Sequence, residues 1–377
     1  MKYILVRRHN GGYITALTEN GKLIEYIDDT RDSSIVGNIY NGIIKTINTG
    51  FIFLDIGLPL QAFLDTTDGR EIRLFRQNKL QVKQGDELIV QVLKDSLGSK
   101  GPVVTANIAY SGRFVVVFKS AGSDMITVSR KIDTTEGQHL LDMVKGLIPA
   151  GFSAIIRTAA VGGRPNEISD EITRLVTQFD KHTAWKHVKA PAVLQEEPPI
   201  LRTLRDVITD DIDAVLTDCR ELMRQISHLE LQYFDNSKHN GQSLFEHYFL
   251  QTQIEKLRDK RVWLNSGAFI VIEQTEACVV IDVNTGKASG KQSGATKLKV
   301  NMEAAKEIAR QLRLRNLSGI ILIDFISMNS QADISGLTDF LRQEFRKDRI
   351  PTVAVGMTAL GLMEVTRKRI RNAVNAH

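Results

Sequence analysis

Two carboxylates, Asp282 and Asp324, each lie within a short apolar run that predicts a buried β-strand. The two runs are Val279 to Asn284 and Ile320 to Ile326. An ionised carboxylate inside an apolar strand costs several kcal/mol unless a cation or hydrogen-bond donors compensate for it. We therefore expect a compensating partner beside each carboxylate.

The segment between the two carboxylates has helical periodicity from Lys297 to Leu314 and completes a strand, helix, strand pattern. Such a unit usually places its strands in parallel as neighbours or near neighbours, roughly 5 Å apart per strand step. Asp282 and Asp324 would then converge on one hard cation such as Mg²⁺, which prefers oxygen ligands. Asn284, two residues beyond Asp282 on the same face, would orient a carboxylate or a bound water.

Each carboxylate also has a simpler interpretation. Asp282 precedes Asn284-Thr285-Gly286, which is typical of a turn. Asp324 would equally well compensate the positive charge at the end of a helix or on a buried arginine. Cations near the two acids fit a solvated helix face, but with a metal they would also stabilise the charge that develops in phosphodiester hydrolysis. These cations are Lys287, Lys291, Lys297, Lys299, Arg310, Arg313, Arg315 and Arg367 to Arg369.

The composition is that of a soluble globular protein with two to four compact units in 377 residues. Hydrophobic residues make up 42% and charged residues 25% of the chain, which excludes disordered and fibrous classes. A net charge of +5 permits a polyanionic partner without requiring one. Cys219 and Cys278 have no zinc or disulfide spacing, and no apolar run approaches the roughly 18 residues of a membrane span, so we expect a cytoplasmic protein with no membrane span.

The order of patterns along the chain predicts five segments. Residues 1–35 read as hairpins with turns at Asn10 to Gly12 and Glu19 to Gly21, and residues 36–109 read as the short strands of a five-stranded barrel. Residues 110–195 mix strands and helices, and the proline-bearing stretch Ala190 to Pro199 predicts a linker or domain edge. In residues 196–265, Ser243 to Glu246 is a capping box that predicts a helix running towards Trp263, and residues 266–377 read as α/β.

Three further groups are weaker candidates. In the barrel, Phe51, Phe53 and Phe63 with Lys94 and Lys100 fit either core aromatics or a platform on which bases stack. Arg157 and Thr158 end a strand before Gly162 and Gly163, which is a weak signal for a terminal-phosphate site. His182 and His187 lie on a polar helix, where we expect them to be solvated.

The chain resembles the ribonuclease E/G endoribonucleases. The resemblance is densest in Ile308 to Gly319 running into Ile323 to Met328, and in Ile281 to Gly286. Weaker matches lie at Gly37 to Gly42, Ile156 to Ala159 and Gly361 to Arg367. The resemblance implies a multidomain α/β and β fold class: an RNase H-like scaffold (1–35 and 196–265) with an inserted OB-fold RNA-binding barrel (36–109) and α+β 5′-phosphate sensor (110–195), followed by a DNase I-like α/β catalytic unit (266–377).

The resemblance also implies roles for particular residues. Asp282 and Asp324 look like the ligands of Mg²⁺, for which Mn²⁺ substitutes, with Asn284 as their catalytic companion. The positions that resemble RNA contacts of the barrel are Phe53, Phe63 and Lys100. The positions that resemble the 5′-monophosphate pocket are Gly112, Val116, Arg130, Arg157 and Thr158, although Gly162 to Arg164 departs from the usual pattern.

The sequence ends at His377, where members of the family continue into a Cys-Pro-x-Cys zinc link. We therefore expect any homodimer or higher homo-oligomer to form without that zinc link. The leading hypothesis is a magnesium-dependent endoribonuclease of RNA processing or decay, which cleaves single-stranded RNA by metal-activated water into 5′-phosphate and 3′-hydroxyl ends and favours 5′-monophosphorylated RNA. The alternatives are a non-catalytic RNA-binding or assembly factor on the same fold and, third, a nuclease acting on DNA.

Overall fold

A computed structural model of the chain describes residues 1–30, 33–67, 82–96, 99–120, 124–185, 187–209, 211–226, 229–286, 294–328 and 330–369. The chain divides into two compact units. Unit 1 consists of Met1–Asp32 and Asp211–His377, and unit 2 consists of Ser33–Asp210. The first strands of the chain therefore belong to the same unit as its second half.

The strands are numbered in chain order. They are β1 (Lys2–His9), β2 (Gly12–Glu19), β3 (Lys22–Asp28), β4 (Ile39–Asn48), β5 (Phe51–Asp55), β6 (Ala62–Asp65), β7 (Glu87–Lys94), β8 (Val103–Thr105), β9 (Ala109–Ser111), β10 (Val115–Lys119), β11 (Ile126–Val128), β12 (Phe152–Ile156), β13 (Ala192–Gln195), β14 (Ala214–Thr217), β15 (Leu231–Tyr233), β16 (Arg261–Trp263), β17 (Phe269–Gln274), β18 (Cys278–Asn284), β19 (Gly319–Asp324), β20 (Thr352–Met357) and β21 (Met363–Arg367).

The helices are numbered in the same way. They are α1 (Thr134–Val144), α2 (Pro165–Thr177), α3 (His182–Trp185), α4 (Pro199–Val207), α5 (Arg220–Gln225), α6 (Leu244–His247), α7 (Gln251–Glu255), α8 (Gly294–Arg315) and α9 (Gln331–Phe345). Short 3₁₀ turns lie at Thr158–Ala160, Gln178–Lys181, Asn236–His239 and Lys256–Arg258. None of the helices in the described ranges is both long and apolar enough to cross a bilayer.

The first sheet of unit 1 has the strand order β15-β14-β1-β2-β3. The β1–β2 and β2–β3 pairs are antiparallel hairpins, and their two-residue turns, Asn10-Gly11 and Asn20-Gly21, all have positive φ. Asn and Gly tolerate this left-handed conformation, which a type I′ hairpin turn requires at both central positions. The predicted hairpins are thus confirmed.

The helix predicted from Ser243 towards Trp263 is wrong as a continuous element. The capping box of Ser243 and Glu246 is present and opens α6. Phe249 then adopts a φ of +54°, which a right-handed helix cannot contain, so the chain turns and continues as the short helix α7. Trp263 lies at the end of strand β16.

The second sheet of unit 1 has the order β16-β17-β18-β19-β21-β20, in which β18 and β19 are parallel neighbours. Its core lies between one face of this sheet and the helices α8 and α9. Side chains that meet there include Ile281 and Ile323 from the strands, Ile308 and Leu312 from α8, and Leu341 from α9. The predicted strand, helix, strand unit is confirmed.

The prediction that these two strands are buried on both faces is wrong. Burial alternates along β18: Val279, Ile281 and Val283 are buried, whereas Val280 and Asp282 are exposed. In the described part of the chain, α8 and α9 cover one face of the sheet, so alternate side chains point to the other, open face. The two carboxylates are therefore solvated, not anomalously buried.

Unit 2 contains a barrel in which β4, β5, β6, β8 and β7 pair in that order and β7 closes onto β4. The barrel interior is apolar, with side chains such as Ile44, Leu54 and Val104 buried. This closed five-stranded arrangement is consistent with an OB-like barrel. The proline-bearing stretch contains β13, which pairs with β4, so this part of the predicted linker is a strand.

Unit 2 also contains a four-stranded sheet, β11-β12-β10-β9, with α1 and α2 against it. His182 is not solvated as predicted. Its ring stacks on Trp185 at 4.5 Å between centroids and lies 5.0 Å from the ring of Phe179. The hydroxyl of Tyr110 lies 3.1 Å from its Nε2, so the imidazole is part of an aromatic core.

Candidate functional site

The register of β18 and β19 places Asp282 directly opposite Asp324. Both side chains are exposed on the open face of the sheet. Neighbouring strands lie about 4.8 Å apart, and residues paired in register point to the same face. Backbone hydrogen bonds between the two strands thus hold the two carboxylates side by side.

Asn284 lies on the same face, two residues beyond Asp282. Its Nδ2 donates a hydrogen bond of 2.6 Å to Oδ2 of Asp282. The predicted orienting contact is therefore present. A carboxylate held by an amide donor loses rotational freedom and presents a fixed oxygen to a ligand, as partners of metal ligands do.

The donor set fits a hard cation that retains water. Two carboxylates face open space, and among the described residues no cluster of three or more His, Cys, Asp or Glu side chains could enclose a metal. Zinc in structural sites takes four closed ligands, often sulfur or nitrogen. Magnesium is bound through one or two carboxylates and keeps several waters, which matches Asp282 and Asp324.

Two of the arginines that precede Asp324 in the sequence bind other protein groups and do not face the open side of the sheet. Arg310 contacts Oε1 of Glu307 at 2.7 Å and donates to the carbonyl of Leu23 at 2.5 Å. Arg315 is 6% exposed and donates to Oε1 of Gln311 at 2.7 Å. Their guanidinium groups stabilise the packing of α8.

Arg367 is likewise structural. Its Nε lies 2.8 Å from Oδ2 of Asp348, with both side chains almost fully buried, and its Nη1 donates to Asn316 Oδ1 at 2.9 Å and to the carbonyl of Leu317 at 3.0 Å. These contacts join β21 to the turn between α8 and β19. Arg367 is therefore explained by packing and not by a phosphate.

Lys297, by contrast, contacts the segment that follows Asp324. Its Nζ lies 3.4 Å from the carbonyl oxygen of Ser327, three residues beyond Asp324. Lys299 is exposed on the same helix. Lys287 and Lys291 lie outside the described residues.

Sequence reasoning missed a positioning residue, Asn301. It is fully buried, donates from Nδ2 to the carbonyl of Ile326 at 2.8 Å and accepts from the amide of Ile326 at 3.0 Å. This reciprocal pair fixes the chain just after Asp324. The signal was present in the sequence, because Asn301 begins an otherwise apolar helical stripe that continues through Ala305 and Ile308.

The predicted barrel aromatics form one cluster. Phe51, Phe53 and Phe63 are partly exposed, with ring centroids 5.4 to 5.8 Å apart. Lys94 ends β7 and Lys100 precedes β8, the strand that pairs with β6, and both lysines are exposed. Because the barrel interior is filled by other side chains, the phenylalanines lie on its outer surface.

Arg157 and Gly112 are in direct contact. Nη1 of Arg157 donates to the carbonyl of Gly112 at 2.6 Å, and its Nη2 lies 2.8 Å from Oδ1 of Asp206. A Cβ on Gly112 would lie 2.1 Å from the carboxylate of Glu171, which accepts hydrogen bonds from the amides of Arg113, Phe114 and Val115, so a side chain at position 112 would displace that carboxylate. Thr158 is adjacent and exposed.

Arg130 follows β11, and Val116 lies in β10 of the same sheet. Val128 is opposite Ile156 in the parallel pair β11–β12, and Arg130 and Thr158 each follow two residues later. Both are exposed at that end of the sheet. Val116 is partly buried within β10. The structure thus brings Arg130, Arg157 and Thr158 to one edge and leaves Val116 further along the sheet.

Comparison with known proteins adds an independent finding. A model of the ribonuclease E/G family matches residues 109–370. Ribonuclease G of Escherichia coli (strain K12) is 33% identical over 94% of this chain and 77% of its own length. Ribonuclease G of Haemophilus influenzae is 33% identical over 95% of this chain and 78% of its own, and ribonuclease E of a Nostoc species is 33% identical over 89% of this chain and 51% of its own. With a family match across most of the chain and relatives aligned along nearly all of it, the chain belongs to the ribonuclease E/G family.

Proposed function

We propose that this chain cleaves single-stranded RNA with a magnesium ion held by Asp282 and Asp324, a role in which Mn²⁺ would substitute. Membership of the ribonuclease E/G family makes it an endoribonuclease of RNA processing. The observation that carries the metal proposal is the register that sets two solvated carboxylates side by side on an open sheet face. An extended strand of RNA has room on such a face, whereas a closed pocket would admit only a small molecule.

Each residue around the carboxylates would have a separate role in cleavage. When bound, a magnesium ion would supply an activated water and neutralise charge on the attacked phosphate. Asn284 would hold the Asp282 carboxylate in place, Asn301 would fix the chain beyond Asp324, and Lys297 would add positive charge. In-line attack of water on phosphorus would break the bond to O3′ and leave a 5′-phosphate and a 3′-hydroxyl.

We expect Asp324→Asn to reduce cleavage by more than about 100-fold, because loss of a residue that only orients a metal ligand already costs roughly 10- to 100-fold. Asn284→Ala is expected within that smaller range. Cleavage of a single-site RNA oligonucleotide at saturating Mg²⁺ measures the rates. Binding of the same RNA, measured separately by fluorescence anisotropy, is expected to change little for both variants.

Glu276→Gln is the matched control, since Glu276 is an exposed carboxylate in the turn between β17 and β18, at the opposite end of β18 from Asp282. It is expected to cleave at the wild-type rate. Near-normal cleavage by Asp324→Asn would remove the metal-site proposal. Matched RNA and DNA oligonucleotides, each with Mg²⁺ or EDTA, test substrate and metal together, and metal-independent RNA binding without turnover would favour the non-catalytic alternative.

We also propose that the barrel binds the substrate strand through Phe53, Phe63 and Lys100. The support is the exposed phenylalanine cluster with lysines beside it, since aromatic faces stack bases at about 1–3 kcal/mol each and cations attract the backbone. In the binding assay, Phe53→Ala is expected to weaken RNA affinity, whereas Val193→Ala, an exposed apolar side chain of β13, is not.

The pocket proposed for a 5′-monophosphate consists of Gly112, Val116, Arg130, Arg157 and Thr158. Its support is the cationic and hydroxyl groups at one edge of the sheet. Asp206 occupies Nη2 of Arg157 in this structure, so a phosphate would have to replace that ion pair. Unit 2 would thus contribute the barrel and the sensor, and unit 1 the RNase H-like scaffold and the DNase I-like catalytic part.

A further inference from the structure

Three side chains of β16 and β17, in the sheet that contains Asp282 and Asp324, form what we call the aromatic shelf: Arg261, Trp263 and Phe269. Trp263 is 55% exposed, and its ring centroid lies 5.1 Å from that of Phe269. The guanidinium of Arg261 lies over the Phe269 ring, 4.5 Å from its centroid. A half-exposed tryptophan beside a cation offers an open ring face and a positive charge to the same ligand.

The shelf lies on the same face as the carboxylate pair and beside it. Trp263 pairs with Phe269, which pairs in turn with Asn284, so these three side chains form one row across the sheet. The next row, two residues along β18, contains Asp282 and Asp324. From the spacing of strands and residues, the Cα of Phe269 lies about 8 Å from that of Asp282.

The shelf is also held in position. Oε1 of Glu303, on α8, accepts hydrogen bonds from the amides of Asn265 at 2.8 Å and Ser266 at 3.3 Å in the turn between β16 and β17. Gly286, just beyond Asn284, packs against that turn so closely that a Cβ would lie 2.3 Å from the carbonyl of Gly267. The aromatic rings and the carboxylate strand are therefore fixed relative to each other.

We propose that the aromatic shelf stacks a nucleobase of the RNA strand immediately next to the phosphate that is cleaved. Trp263 provides the stacking face, and Arg261 attracts the phosphate attached to that base. Every base has a π-face, so this contact aligns the strand without selecting a sequence. The inference rests on the proposed function, because it takes the cleaved phosphate to lie at Asp282 and Asp324.

A fluorescence experiment tests the contact without catalysis. The chain has two tryptophans, and Trp185 is largely buried, so comparing Asp324→Asn with Asp324→Asn/Trp263→Phe isolates the emission of Trp263. A short uridine oligonucleotide is expected to quench this difference signal on binding. An unchanged signal at saturating RNA would overturn the proposal.

A kinetic experiment locates the base. One RNA with a single cleavage site is prepared with an abasic nucleotide at each position in turn. For the wild-type protein, we expect kcat/KM to fall roughly 5- to 100-fold at one position flanking the cleaved bond, the range expected for one lost stacking contact. Trp263→Ala is expected to show that loss on the intact RNA and no further loss with the abasic one.

Two further variants separate stacking from folding. Trp263→Tyr is expected to recover most of the lost kcat/KM, whereas Trp263→Leu, which keeps an apolar surface, is not. Val353→Ala removes a side chain of equal exposure, 55%, from the β20 end of the same sheet and is expected to cleave normally. If the fold losses in kcat/KM caused by Trp263→Ala and by an abasic nucleotide multiply at every position, the shelf proposal fails while the nuclease proposal stands. If Asp324→Asn still cleaves RNA, the nuclease proposal itself fails.

Discussion

The aromatic environment of His182 shows how burial changes the chemistry of one side chain. Burial, with a smaller contribution from the nearby charge of Lys119, lowers the pKa of His182 from 6.5 to about 4. The neutral imidazole can accept a hydrogen bond from Tyr110, which lies 3.1 Å away. Protonation would place a charge among Phe179 and Trp185, where little water can solvate it.

This shift predicts a pH-dependent stability. Between pH 6.5 and about 4 the unfolded chain binds a proton at His182 that the folded chain does not, so the free energy of unfolding falls as the pH falls through this window. Because the ring is partly exposed, we expect a loss on the order of 2 kcal/mol. Urea unfolding of the Trp263→Phe variant, followed by the fluorescence of Trp185, which stacks on the ring, measures it.

His182→Phe is expected to lose this component of the pH dependence and His187→Asn, a change at an exposed histidine, to retain it. Equal pH profiles for wild type and His182→Phe would contradict the assignment.

At the same scale, the sequence predicted which residues meet but not what surrounds them. The pairing of Asp282 with Asp324 followed from two apolar runs and a helical period. Their exposure did not, because the pattern of one strand cannot show that helices cover a single face of its sheet. The role of Arg367 was hidden for a similar reason, since its partner Asp348 is close only after β21 has paired with β19 and β20.

Among the elements, β21 depends on a buried ion pair. Arg367 and Asp348 are 1% and 3% exposed, and removing one partner leaves the other charge buried without compensation. We expect Arg367→Ala to lower the free energy of unfolding by about 3–5 kcal/mol, as measured by urea denaturation. Lys368→Ala, at the exposed neighbouring position, is expected to change it by less than about 0.5 kcal/mol; a similar effect of both would argue against the pair.

Elements with local signals were predictable. Asn-Gly turns defined the first hairpins, and the period of α8 defined the helix between β18 and β19. Elements that depend on distant partners were not. Strand β13 forms because it pairs with the distant strand β4. The break between α6 and α7 at Phe249 is not marked in the sequence by a glycine or proline.

For the whole molecule, the division into two units predicts that substrate-end recognition and cleavage are separable. We expect wild-type protein to cleave a 5′-monophosphorylated RNA faster than the same RNA with a 5′-hydroxyl. Arg157→Gln, in unit 2, is expected to bring the two rates together at the slower value. Asp324→Asn, in unit 1, is expected to lower both rates by the same factor.

Arg164→Gln provides the control, because Arg164 is a more exposed arginine of unit 2 whose ion pair with Glu167 is 3.7 Å long. It is expected to keep the ratio of the two rates. Equal rates for the two RNAs with wild-type protein would count against the 5′-phosphate pocket but leave the barrel and the carboxylate pair unaffected.

Unit 1 is assembled from both ends of the described chain, and this affects the order in which a ribosome can complete it. Strands β1 to β3 emerge early, but β14, the parallel neighbour of β1, is made only after the whole of unit 2. Asp324 follows later still, and β21, which flanks its strand, follows Asp324. A nascent chain therefore carries no complete carboxylate pair until Asp324 has been translated, so under the proposed mechanism we expect it to be unable to cleave RNA before that point.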